Sequence, residues 1–163
     1  MAHVAIENVI MLPLLVLQVI LFPMVANWLM NIWVDSRRTL ALEEVANNIG
    51  STIQQMYFTL DHATIKSMQL SHKPDVPKYI EGSFYVGNAT IKQSSSGSQA
   101  KILELTLTLS GTKIAVKRTI VLGPNAEWIY SLFISNSDDT CIYAEKYENG
   151  TIRLSFSHTS PGG

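Results

Sequence analysis

Between Asn8 and Val34 the chain carries no charged residue. The run reads NVIMLPLLVLQVILFPMVANWLMNIWV, 27 residues, and a helix needs about 20 apolar residues to cross a bilayer. After Asn8 its only strongly polar side chains are Gln18, Asn27 and Asn31, and Trp28 and Trp33 lie toward its C-terminal end, where interfacial aromatics belong. A secretory signal fits poorly, because its apolar core spans about 7–15 residues behind a basic stretch. Pro13 and Pro23 each remove a backbone donor, which is tolerated in membranes and packed bundles.

Past the charges Asp35, Arg37 and Arg38, the helical period continues in a different form. Leu42, Val45, Ile49, Ile53, Met56 and Leu60 follow one another at steps of three or four, while Glu43, Glu44, Asn47, Asn48, Gln54 and Gln55 fill the other side. That is one apolar stripe on an amphipathic helix, and Gly50 is its weak point. A single helix from about His3 to Met68 is expected, on the order of 100 Å long at 1.5 Å per residue, ended by the Lys73–Pro77 segment KPDVP.

Beyond Pro77 the period changes to two. Leu103, Leu105, Leu107 and Leu109 alternate with Glu104, Thr106 and Thr108, and Trp128, Tyr130, Leu132 and Ile134 alternate likewise. Strands are expected at 79–86, 100–109, 113–122, 128–135, 140–147 and 151–157, separated by turn signals such as Gly123-Pro124-Asn125 and Glu148-Asn149-Gly150. Gln93–Gln99 reads as an exposed loop. The expected fold class is α+β: a long hydrophobic-to-amphipathic helix followed by an antiparallel β-sandwich-like head. The division is 1–72 for the helix, apolar and core-forming or transmembrane over about 8–34 and amphipathic over 35–68, and 77–163 for the head.

Composition narrows the functions. Charged residues make up 15% and the net charge is −1, so nothing resembles a nucleic-acid footprint. A single cysteine, Cys141, excludes an internal disulfide and a cysteine-based zinc cluster, and the four histidines have no ligand-like spacing. No phosphate loop, metalloprotease helix or nucleophile elbow is present, and neither catalysis nor a cofactor is expected. Asn88-Ala89-Thr90 and Asn149-Gly150-Thr151 are N-glycosylation sequons, which makes Asn88 and Asn149 candidate acceptors.

A charge-free apolar N-terminus with one early glutamate (residues 5–22, AIENVIMLPLLVLQVILF), a continuing amphipathic helix and a β-rich head together resemble the archaeal type IV pilin and archaellin superfamily. The resemblance implies a leader removed by a membrane peptidase, with cleavage between Ala2 and His3. Glu7 would then take the place of the glutamate that pairs with a neighbouring N-terminal amine. It implies a filament whose core is lined by Ile10, Leu14, Leu17, Leu21, Val25, Trp28 and Ile32, with the heads outside, and helix–head packing through Leu42, Val45, Ile49, Ile53, Met56 and Leu60. Partners would be copies of itself, the membrane before assembly, and an assembly platform with its ATPase. Such a chain is an adhesive, glycosylated structural protein of an extracellular filament. The alternative is a single-pass membrane-anchored β-sandwich binding module, or a minor pilin-like component. For a simple anchor, Arg37 and Arg38 would hold the head in the cytoplasm.

Overall fold

The computed structural model describes residues 2–93 and 100–157, and of residues 2–10 and 157 the backbone alone. Helix α1 (Ala2–Asp61) runs 60 residues and contains both Pro13 and Pro23. Eight strands follow: β1 (Met68–His72), β2 (Tyr85–Gln93), β3 (Lys101–Leu109), β4 (Ala115–Leu122), β5 (Ala126–Trp128), β6 (Leu132–Ile134), β7 (Cys141–Lys146) and β8 (Ile152–Ser157). The fold is α+β, a long apolar N-terminal helix followed by two largely antiparallel sheets. The chain divides into two compact units, Met1–Arg37 and Arg38–Gly163.

In the second unit the strands form two four-stranded sheets, ordered β1-β7-β8-β5 and β4-β3-β2-β6. Every pair is antiparallel except β5 with β8, where Glu127 lies beside Arg153 in a parallel register. The period-two pattern of β3 does what alternation requires: Leu103, Leu105, Leu107 and Leu109 are all fully buried, while Glu104 and Thr108 turn outward. The C-terminal part of α1 lines the same core. Leu42, Val45, Ile49, Ile53, Met56 and Leu60 are buried, and they join one cluster with Tyr85, Leu105, Phe133, Ile142 and Leu154 from both sheets. Ala46 and Tyr57, four residues after Leu42 and Ile53, widen that buried stripe.

Three expected boundaries move. The helix ends at Asp61 rather than Met68, because after Leu60 the stripe offers only the small Ala63 before Met68, which β7 takes into a ladder. The Ile65 amide closes a turn onto the His62 carbonyl, and Met68–His72 pairs with β7, Leu70 lying opposite Ala144. The strand expected at 79–86 is instead a tight turn: Ile80 bridges Ser83 around Glu81 and Gly82, at φ 46° and 82°. Left-handed backbone at two successive residues suits a hairpin turn with glycine in its second position. β2 begins only at Tyr85 and runs through the first sequon to Gln93.

The strand expected at 128–135 splits into β5 and β6, which belong to different sheets. The crossing at Ile129–Ser131 is pinned by one hydroxyl: Ser131 Oγ donates to the Ile129 carbonyl at 2.9 Å and accepts the Phe156 amide at 2.8 Å. Trp128 and Phe133 therefore both pack on Phe156, edge-on at centroid distances of 4.9 and 5.5 Å, although they come from different sheets. The longer β1–β2 connection is tied down likewise, by the Tyr85 hydroxyl on the Pro77 carbonyl at 2.7 Å and Ser135 Oγ on the Lys78 carbonyl at 2.8 Å.

Candidate assembly surface

In the first unit the apolar side chains turn outward. From Met11 to Trp33 the large hydrophobic residues are between 47% and 74% exposed, on every side of the helix. Leu14, Leu17, Leu21, Val25, Trp28 and Ile32 all belong to this surface. The most apolar 18-residue window has a mean hydropathy of 2.0, and none of it is buried within the chain. A helix apolar on all faces cannot remain in water alone, since each Leu, Ile, Val, Phe or Met left uncovered forgoes roughly 1.5–3 kcal/mol. By length and composition this helix could cross a membrane.

Polar features on this helix are few. The Arg37 guanidinium lies 5.0 Å from the Trp33 ring centre, a cation–π contact at the end of the apolar run. Gln18 stands alone in the middle of that run. Two shallow apolar grooves flank it, one lined by Leu14, Leu17, Leu21 and Val25 and the other by Leu15, Val19, Phe22 and Pro23. Ala2, His3, Glu7 and Ile10 lie in the helical backbone, but their side chains fall outside the described residues.

The two sequons occupy different environments. Asn149 is exposed in the β7–β8 turn, where its Oδ1 accepts the Thr151 amide at 3.0 Å and Gly150 takes φ 84°. Asn88, expected near a strand end, sits inside β2 between Thr106 of β3 and Leu132 of β6. Its Oδ1 is buried without a hydrogen-bond partner. The Gln93–Gln99 loop lies outside the described residues after Gln93.

Several side chains that hold the second unit together escaped sequence reading. Asn125, in the β4–β5 turn, bonds Tyr57, Asp61 and the Gly150 carbonyl. Lys146 is buried, and its Nζ donates to the His62 carbonyl at 3.2 Å, just past the helix C-terminus, where a cation is favourable. On the outer face of the first sheet, Gln69, Glu145, Arg153 and Glu127 stand in one row across β1, β7, β8 and β5. Gln69 Nε2 and the Tyr147 hydroxyl both donate to the Glu145 carboxylate, at 2.6 Å each, and hold it below the usual carboxylate range. On the other sheet Glu104 is lowered in the same way by hydrogen bonds and charge from Lys92 and Lys117. Cys141 is buried, and desolvation raises its thiol. Among the described residues no group of three His, Cys, Asp or Glu side chains is placed to hold a metal ion. No family model, no curated protein and no solved structure matches this chain.

Proposed function

We propose that this chain is the repeating structural subunit of an archaeal type IV pilus-like extracellular filament, serving adhesion. The reading is carried by one observation: a charge-free helical surface, apolar on every side, joined to a second unit whose own core is complete. Its layout, a long apolar helix followed by a β-sheet domain, is compatible with that of pilins. In lipid the exposed helix is stable before assembly. Neighbouring copies then replace lipid around Leu14, Leu17, Leu21, Val25, Trp28 and Ile32, and Ile10 extends the same core. Because lipid tails are as apolar as leucine, packing and polar contacts rather than water exclusion favour that replacement.

Processing between Ala2 and His3 would leave Glu7 near the new amine, and Glu7 pairs with the amine of a neighbouring copy, which offsets the several kcal/mol of burying it alone. The β-rich unit supplies the outer surface, and of the two sequons the exposed Asn149 is the better glycan acceptor. An assembly platform and ATPase are the remaining partners. The mechanism is mechanical, with no catalytic step and no cofactor.

The test is to shear filaments from the native host and identify their subunit by cryo-electron microscopy. Fibres built from this chain around a helical core support the reading and locate the mature N-terminus. Retention of all the protein in the membrane fraction, with no fibre containing it, would instead make it an anchored binding module. Filaments that still form after deletion of residues 1–34 would remove the helix from the core.

A further inference from the structure

Gln18 is the sole strongly polar side chain from Met11 to Ala26, and it makes no hydrogen bond within the chain among the described residues. An unpaired carboxamide is costly wherever lipid or packed helices exclude water. One residue on, a second polar group is also left over. Pro23 has no N–H, so the Val19 carbonyl lacks the donor that a helix supplies four residues later. Leu15, Gln18, Val19, Phe22 and Pro23 line one shallow groove, the i, i+3, i+4, i+7, i+8 face of a single helical surface.

The geometry points to a second copy of this chain as the occupant of that groove, with Gln18 Nε2 of one copy donating to the Val19 carbonyl of its neighbour. The inference rests on the filament reading and gives it a specific contact. Donor and acceptor are one residue apart in the same helix, so copies packed side by side in the same direction bring both to one level. Lipid tails offer neither group. A different protein would have to reproduce both by coincidence. Pro23 thus lines the groove and leaves free the acceptor that makes the contact directional.

A double-mutant cycle on the full chain in lipid vesicles tests this, with self-association read by Förster transfer between copies labelled separately on surface amines. Gln18→Leu keeps the size of the side chain and removes the donor; Pro23→Ala restores an N–H to the Val19 carbonyl and removes the acceptor. Each alone should weaken association about three- to tenfold, and Gln18→Leu should add nothing in the Pro23→Ala background. A silent Gln18→Leu, or an equal loss in both backgrounds, overturns the contact, the latter showing that Gln18 pairs with some other group. A Pro23→Ala loss far beyond tenfold also overturns it, since one hydrogen bond cannot supply that much. If the unaltered chain shows no transfer at all, copies do not associate through this face in lipid and the contact is overturned, whereas the filament reading is decided separately by the sheared fibres.

Discussion

The Tyr57 hydroxyl donates to Oδ1 of Asn125, joining the last turns of α1 to the turn between β4 and β5. The same carboxamide donates through Nδ2 to Asp61 at 2.9 Å and to the Gly150 carbonyl at 3.0 Å, so three segments meet at one side chain. The carboxamide accepts on one side and donates twice on the other, which an ionised carboxylate cannot do. Asn125→Asp would turn a second carboxylate toward Asp61. Its expected cost is about 1–3 kcal/mol, larger than that of Asn125→Ala, read as the urea midpoint of the full chain in detergent by near-ultraviolet circular dichroism. An unchanged midpoint for the aspartate would deny Asn125 this role.

Two buried glycines should respond to alanine with opposite signs. A Cβ at Gly87 would meet Leu107 Cδ2 at 2.7 Å and Phe133 Cβ at 3.1 Å, both inside the packed core, so Gly87→Ala should destabilise by about 1–3 kcal/mol. At Gly50 the nearest atoms are Arg118 Cγ at 3.3 Å and Ile120 Cδ1 at 3.4 Å. The Arg118 side chain is exposed and can give way, which leaves the helix preference for alanine, up to ~1 kcal/mol, as a net gain. Thermal melts of the two variants against the parent decide both signs.

The division of α1 between two environments predicts a contrast. Ile53 is fully buried in the β-rich unit, and Ile53→Ala should cost about 2–5 kcal/mol there. Leu14 is exposed in the first unit, so Leu14→Ala should leave the unfolding of the β-rich unit in detergent unchanged while reducing incorporation into filaments. Equal unfolding midpoints for the two variants would contradict that division.

Acid should weaken the β-rich unit. Glu104, Asp138 and Glu145 all titrate below their ordinary values, chiefly through hydrogen bonds from Lys92, Lys78 and Tyr147 respectively. A carboxyl lowered by folding stabilises the fold above its unfolded value, near ~4, and that contribution disappears as pH falls through the folded value. The melting temperature should therefore hold near neutrality and drop below about pH 4. Glu104→Gln should flatten part of that drop. Asp138 is exposed and Glu104 and Glu145 are only partly covered, so each contributes little and salt should diminish the effect.

Elements whose pattern stands alone were legible in the sequence. The stripe from Leu42 to Leu60 and the alternation of β3 each announce what they bury, and the run from Met11 announces a helix apolar on every side. Elements defined by a partner were not. Met68–His72 looks like the tail of a helix until β7 offers it a ladder, and small Gly87 and Ala89 make sense only once Leu107 and Phe133 are known to press on that strand. Residues 128–135 alternate well enough for one strand, yet Ser131 bridges Ile129 and Phe156, and the chain changes sheets there. At the proposed contact surface Gln18 was visible as a polar residue in an apolar run. Its relation to Val19 emerges only with the helical backbone continuing through Pro23.

β8 lies between β7 and β5, and of the described strands it leaves the ribosome last. Until Ile152–Ser157 has emerged, the first sheet has no centre: β5 lacks the strand it pairs with, and Leu154 and Phe156 are missing from the core that the C-terminal part of α1 joins. At about 5–20 residues per second, Leu42–Leu60 waits several seconds with its apolar stripe uncovered. During that interval the nascent chain offers chaperones and proteases two separate greasy segments, of which only the second is later covered by the chain's own fold. A translation product that stops short of β8 would keep both uncovered by the chain itself and should be cut by proteases faster than the full chain.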